Sequence, residues 1–256
     1  MVSIERHRRI ADAVQSAGRI GVAELASLTG ASEMTVRRDL ETLAAQGVLE
    51  RYRGGARSLL LRGEEPPFAL RAGEGQEVKR RIAAEVAALI ADGETVVLDG
   101  GTTCLEVARL LADRRLTVMP LSLHAVNALS AAGPRLRLLL PGGEVRPGEL
   151  GVTGPLAEAS LGALRFDTAV VGCCGLTAQD GLTAYDLAEA SVKRAAIASS
   201  RRVIAVAEAA KLTRTALAYV AAPTALHTVV TDTDAPAEQT GALAALGVRV
   251  IRAPAE

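Results

Sequence analysis

Ser32-Glu33-Met34-Thr35-Val36-Arg37-Arg38-Asp39-Leu40-Glu41-Thr42-Leu43 is the stretch from which the rest of the chain can be read. Val36, Leu40 and Leu43 recur at i, i+4 and i+7, so one stripe of a helix is apolar and faces a core. Ser32 stands where an N-cap belongs, and Glu33 suits the positive end of the helix dipole. At about 100° per residue, Met34 and Arg38 point away from the apolar stripe, with Thr35, Arg37 and Thr42 on its flanks. Two adjacent arginines and short hydroxyl side chains near a helix start suit a DNA major groove, where arginine bonds phosphate or the O6/N7 edge of guanine. An ordinary amphipathic surface helix shows the same pattern, so the neighbouring segments have to decide.

They favour a groove-reading helix. Residues 5–17 predict a first helix with Ile10, Ala13 and Val14 inward, ended by Gly18. Residues 19–22 read as a short extended link, and residues 23–28 as a brief helix closed by Thr29-Gly30-Ala31. A short helix, a glycine turn and a longer helix with outward arginines is helix-turn-helix geometry. Gly47-Val48-Leu49-Glu50-Arg51-Tyr52-Arg53-Gly54-Gly55-Ala56 then supplies a glycine stop, an alternating strand and a Gly-Gly turn. It reads as a β-wing, with Arg51 and Arg53 placed for phosphate.

Formal net charge is zero over 256 residues, but the charge is unevenly spread. Through Arg62 there are ten arginines against seven acidic residues, so the N-terminal portion is net basic and the remainder net acidic. Aromatic residues make up 2 % of the chain, which disfavours recognition by base stacking. Cys104, Cys173 and Cys174 have neither a disulfide framework nor metal-ligand spacing, and packing in small spaces is the simpler role for them. No metal or cofactor is expected. Charged residues follow Met1 almost at once and no apolar run approaches membrane-spanning length, so a soluble, cytoplasmic protein is expected.

The head resembles a known family. Arg8-Arg9-Ile10, Val22-Ala23-Glu24-Leu25-Ala26, the Thr35-Val36-Arg37-Arg38-Asp39-Leu40 run and the Arg51-Tyr52-Arg53-Gly54-Gly55-Ala56 ending are similar to the winged head of DeoR-family bacterial transcriptional regulators. Arg53 stands where that family often has histidine. The resemblance implies a double-stranded DNA operator as partner, with Ser32, Met34, Thr35, Arg37, Arg38, Arg51 and Arg53 as its contacts.

Periodicity fails from residue 58 to 75, where Gly63, Pro66, Pro67, Gly73 and Gly75 accumulate. The expected organisation is therefore a head at 1–57, a linker at 58–75 stiffened by the two prolines, and a second domain at 76–256. In that domain strand-like runs fall at 95–98, 116–119, 136–140, 168–171, 203–206, 228–230 and 248–251. Helix-like runs separate most of them, which indicates an α/β domain with a mostly parallel sheet. Ligands of such sheets bind beyond the carboxyl ends of the strands. Asp99-Gly100-Gly101-Thr102-Thr103 follows the first strand and opens a helix, Gly142-Gly143 follows the third, and Gly172-Cys173-Cys174-Gly175 follows the fourth. Glycines admit an anion to the backbone, and a helix N-terminus offers unpaired N–H groups. Lys79, Lys193 and Lys211 are the only lysines. Lys211 falls at the ligand edge as a candidate phosphate contact, whereas Glu189 and Lys193 could equally be an exposed i, i+4 ion pair. His124, after the second strand, could line the pocket or lie at the surface.

This second domain resembles the DeoR-family sensor domain, which is similar in fold to ribose-5-phosphate isomerase. The resemblance implies a phosphorylated sugar or other small anionic metabolite as effector. Its contacts would be Asp99, Gly100, Gly101, Thr102, Thr103, Gly142, Gly143, Gly172, Gly175, Glu189, Lys193 and Lys211. Two positions depart from the family: Pro120-Leu121-Ser122 replaces the usual Thr-Asn-Ser, and Glu208 replaces aspartate in the motif ending at Lys211. The expected function is an effector-controlled transcriptional regulator, usually a repressor in this family, acting as a homo-oligomer. Two alternatives stay open: a sugar-phosphate isomerase with Glu189 as base, and a DNA-binding protein whose sensor only mediates assembly.

Overall fold

The computed structural model describes residues 3–58, 66, 68–130 and 133–255. They fall into two compact units, residues 1–74 and 75–256.

In the first unit, α1 (Ser3–Ala17) leads into β1 (Arg19–Gly21), α2 (Val22–Thr29), α3 (Glu33–Ala45), β2 (Leu49–Tyr52), β3 (Gly55–Ser58) and α4 (Phe68–Gly73). Gly30 ends α2 in the left-handed region at φ +68°, where a side chain would be strained. Ser32 then caps α3, its Oγ accepting the Thr35 N–H at 3.2 Å. Ile10 and Val14 of α1, Leu25 of α2 and Val36, Leu40 and Leu43 of α3 form the buried core. Residues 19–22, read from sequence as a link, contain a strand. β1 joins the wing as its third member, in the antiparallel order β1-β3-β2. Three residues are too few for alternation to show. The expected linker also differs. Ser58 lies within β3, and α4 buries Phe68 and Leu70, the latter among the head's core residues. A six-residue helix beside prolines leaves no legible period; residues 59–65 and Pro67 of that linker lie outside the described residues.

Asp39, on the inner side of α3, ties that helix to the start of α1. Its carboxylate accepts Arg6 Nε at 2.6 Å and Arg6 Nη2 at 3.0 Å, and His7 Nε2 stands 2.9 Å away. Burial pushes the Asp39 carboxyl up, but the Arg6 and His7 contacts outweigh it and hold the group below the usual aspartate range.

The second unit begins with α5 (Gln76–Leu89). It continues through β4 (Thr95–Leu98), α6 (Thr102–Leu111), β5 (Thr117–Pro120), α7 (Leu123–Ser130), β6 (Arg137–Leu138), β7 (Glu144–Val145) and β8 (Val152–Thr153). Then come α8 (Pro155–Gly162), β9 (Phe166–Gly172), β10 (Gly175–Thr177), β11 (Gly181–Ala184), α9 (Leu187–Ala198) and β12 (Ser200–Val206). β13 (Ala218–Ala221), β14 (Thr228–Asp232), α10 (Ala237–Ala245) and β15 (Arg249–Ala253) complete it. Seven strands make one parallel sheet in the order β15-β14-β12-β9-β4-β5-β6.

Each of the seven expected runs overlaps one of these strands. The central runs are largely apolar because both faces are covered, whereas the edge strands β6 and β15 carry the exposed Arg137 and Arg249. On β12, Val203 and Ala205 enter the core shared with α8, α9 and α10, while Ile204 and Val206 enter the core shared with α5, α6 and α7. Chain order reverses between β4 and β9, which makes their carboxyl ends the topological switch point of the sheet. Two additions were not legible: the antiparallel set β10-β11-β13 and the hairpin β7-β8. All four residues of β11 are buried, so it shows no alternation. Among the described residues no helix is long and apolar enough to cross a membrane.

Asp39→Asn is expected to cost about 1–3 kcal/mol of stability in the first unit, since it weakens charge-assisted bonds to a half-buried arginine. Urea unfolding at neutral pH measures this. Because the Asp39 pKa is depressed on folding, its contribution is complete above the ordinary aspartate value of about 3.9 and fades as pH falls through the lowered one. The gap between wild type and Asp39→Asn should therefore close in acid.

Candidate functional site

At the switch point, Asp99 leaves the end of β4. Its N–H reaches the Val170 carbonyl at 2.9 Å, and its Oδ2 accepts the Gly172 N–H at 2.9 Å, so β4 and β9 are joined there. The same oxygen takes the Lys193 ammonium. Lys193 Nζ also lies 3.1 Å from Glu189 Oε1 and donates to the Gly172 carbonyl at 3.2 Å. Lys193 is only 3 % exposed and Asp99 5 %, so this is a buried ion pair and not the solvated helix pair that spacing alone permits. Burial opposes the ammonium, but Asp99 and Glu189 hold its pKa well above the ordinary lysine value.

The charge continues outward. Glu189 Oε2 accepts Arg146 Nη2 at 2.9 Å, and Arg146 Nη1 stands 3.4 Å from Asp186. Asp186 is the N-cap of α9, accepting the Glu189 N–H at 2.8 Å. Lys211, at the end of a single 3-10 turn (Ala209–Lys211), donates to the Cys173 carbonyl at 3.0 Å. Lys79, 3 % exposed on α5, lies 3.9 Å from Glu208 Oε1 beyond the end of β12. All three lysines of the chain therefore stand beyond the carboxyl ends of the parallel strands.

Gly100 and Gly101 turn the chain from β4 into α6. Gly101 is the N-cap at φ +93°, with Thr102 and Thr103 buried in the first turn. The first N–H groups of a helix have no partner within it and suit an anion. Gly172 packs beside them, since a Cβ there would lie 3.4 Å from the Gly100 carbonyl. The other two glycine turns have packing reasons. A Cβ on Gly143 would come within 2.6 Å of the Thr153 carbonyl, and one on Gly175 would strike the Arg214 carbonyl. Gly142 donates its N–H to Ser160 Oγ at 3.1 Å, on α8.

Cys104, Cys173 and Cys174 are buried and form no disulfide. Burial and then Asp99 push the Cys104 thiol far up, away from thiolate character. His124 lies in the first turn of α7, where burial pushes it down against the influence of Glu149.

On the head, Met34 is 58 % exposed and Arg38 is exposed, with no acidic partner among the described residues. Arg37 pairs with Glu33 at 2.9 Å and Arg51 with Glu41 at 2.8 Å, all four side chains largely exposed. Arg53 is exposed in the wing turn. The Ser32 hydroxyl is engaged by the cap and by Thr35 Oγ1 at 2.9 Å. Sequence reading passed over Arg146, Asp186, Lys79 and the Asp39 anchor. An Asp-x-x-Glu capping pattern at 186–189 was a signal for Asp186, and lysine scarcity was one for Lys79.

Residues 6–60 match the DeoR-like helix-turn-helix domain, and residues 74–233 match the DeoR C terminal sensor domain. The chain belongs to the DeoR family. This DeoR-family chain is a DNA-binding transcriptional regulator. It is 32 % identical over 237 residues to the glycerol-3-phosphate regulon repressor of Escherichia coli strain K12, covering 92 % of this chain and 93 % of that one. It is 35 % identical over 230 residues to the transcriptional repressor AccR of Agrobacterium fabrum, covering 89 % of each. Ribose 5-phosphate isomerase A from Methanocaldococcus jannaschii superposes with a TM-score of 0.40 at 14 % identity, over 54 % of this chain and 55 % of that one.

Lys193→Met is expected to destabilise the sensor by about 3–5 kcal/mol, because it leaves the buried Asp99 carboxylate without its cation. The double variant Asp99→Asn/Lys193→Met should recover part of that loss. Calorimetric melting of the two proteins checks both expectations.

Proposed function

We propose that this DeoR-family regulator represses a sugar or related metabolic operon, and that a phosphorylated sugar or similar small anionic metabolite controls it. The observation that carries this reading is the gathering of Lys79, Lys193 and Lys211 at one sheet edge, beside the open N-terminus of α6. In this reading Asp99, Lys193 and Glu189 form the floor of the site. Lys211 and the Gly101–Thr103 amides meet the anion, and Gly142, Gly143 and Gly175 serve by shaping the turns around it. The names of the relatives support the sign of regulation and suggest glycerol 3-phosphate as the first ester to try.

The chain acts by binding, without turnover. Both Glu189 oxygens are engaged, Oε1 by Lys193 and Oε2 by Arg146, which supports a recognition role over that of a proton-abstracting base. DNA is met by the face carrying Ser32, Met34, Thr35, Arg37, Arg38, Arg51 and Arg53. Two such heads in a homo-oligomer would read two half-sites of an operator.

In a gel shift with duplex from upstream of its own coding region, Arg38→Ala should lose about 1–3 kcal/mol of binding, the worth of one bidentate base contact. Arg37→Ala should lose a similar amount, since its exposed Glu33 pair, worth about 0–1 kcal/mol, is readily exchanged for DNA. Unaltered affinity in both would remove α3 from the interface. Lys211→Ala should keep DNA affinity yet lose the response to glycerol 3-phosphate or another sugar phosphate. A normal dose response in that variant would put the anion elsewhere.

A further inference from the structure

The outer face of the wing sheet carries an arrangement that its own stability does not account for. Arg19 on β1 and Arg57 on β3 are directly opposite in register, and both are exposed. Like charges so placed disfavour strand pairing. Glu50, opposite Arg57 on β2, binds that guanidinium through Nε at 2.9 Å and Nη2 at 2.6 Å. Arg19 has no acidic partner among the described residues. Its guanidinium instead lies over the Tyr52 ring, 4.0 Å from the centroid, within the range of a cation–π contact.

Neighbouring residues are shaped to hold this stack. The Tyr52 hydroxyl donates to the Ile20 carbonyl at 3.2 Å, which lays the ring across β1 and β3. Space for the ring exists only because residue 55 is glycine, since a Cβ there would fall on the Ile20 carbonyl and the Tyr52 ring. Tyr52 and Gly55 are a register pair beside the Arg53-Gly54 turn, so the stack draws Arg19 towards the wing tip. A stacked arginine keeps its N–H edge open while losing little further freedom on binding, the condition for an efficient phosphate contact.

We propose that Arg19, stacked on Tyr52, is a DNA-backbone contact of the wing, preset in the free protein and extending the footprint beyond α3 and Arg53. The occupant is a phosphodiester strand of duplex DNA. An exposed cation with no carboxylate beside it complements that charge, and the stack is continuous with the wing turn. The proposal rests on the DNA-binding reading of the head. Arg19 would add affinity without sequence information, because phosphates are the same at every base pair.

The test uses the full chain and a duplex that the wild-type protein enriches from a random pool, with affinity followed by fluorescence anisotropy across a salt series. Arg19→Ala and Arg19→Gln should bind roughly tenfold more weakly, as expected for a lost charge-assisted bond. They should also lower the slope of log K against log salt by about 0.9, one phosphate's worth. Their ranking of mismatched duplexes should match that of wild type, whereas Arg38→Ala should alter it. Tyr52→Phe keeps the ring and should retain the slope, while Tyr52→Leu should weaken binding by about threefold through loss of the platform. Melting temperatures of the Arg19 variants equal to wild type would show that the loss is one of contact and not of folding. A wild-type slope and affinity in both Arg19 variants would overturn the proposal. If wild-type protein enriched no duplex at all, the DNA-binding reading would fail first and take this proposal with it.

Discussion

The Asp99–Lys193 pair is the interaction around which the sensor is built. Both groups are almost wholly out of water, and moving each there costs several kcal/mol before any contact is made. What offsets that cost is position: Asp99 also accepts the Gly172 amide, and Lys193 also meets Glu189 and the Gly172 carbonyl. Three elements remote in sequence, β4, β9 and α9, are thereby pinned at the one place where the order of the sheet reverses. A reversal there sends the two crossovers apart and leaves a crevice. In the proposed function the pair forms its charged floor. Since Lys193 is committed to carboxylates, the proposed function has the ligand met nearer the rim.

The head solves a smaller version of the same problem. Asp39 faces inward from α3 and gathers Arg6 and His7, so that helix is fixed to the start of α1 by charge as well as by Val36, Leu40 and Leu43. Once the inner side is anchored in this way, Arg37 and Arg51 are left with only exposed ion pairs. Their ion pairs, Arg37 with Glu33 and Arg51 with Glu41, are solvated and weak, and hence cheap to exchange for phosphate or base edges. Strong pairs inside and exchangeable pairs outside are what a rigid module with a replaceable surface partner requires.

Glycine shows how one residue type can mean different things in one chain. Gly101 accepts a positive φ so that α6 can begin with its amides open. Gly55 makes room for an aromatic ring. Gly143 and Gly175 let one backbone approach another. All four look alike in sequence, as part of a Gly-Gly or Gly-x-x-Gly turn. Only the atoms that a Cβ would meet tell them apart.

The sequence by itself determined whatever depends on near neighbours along the chain. The apolar stripe of α3, its Ser32 cap, the seven parallel strands and the glycine opening of α6 all follow from spacings of four residues or fewer. Glu189 and Lys193 were visible as a pair for that reason. Tertiary structure alone decided that Lys193 is buried against Asp99, 94 residues away, and that Arg146 closes over Glu189. It also decided that β1 completes the wing, that residues 68–73 pack with the head, and that β10, β11 and β13 form a separate sheet. Periodicity records which face of an element is apolar. Which two distant elements share that face is set by the crossovers and the order of strands, and those leave no mark at short range.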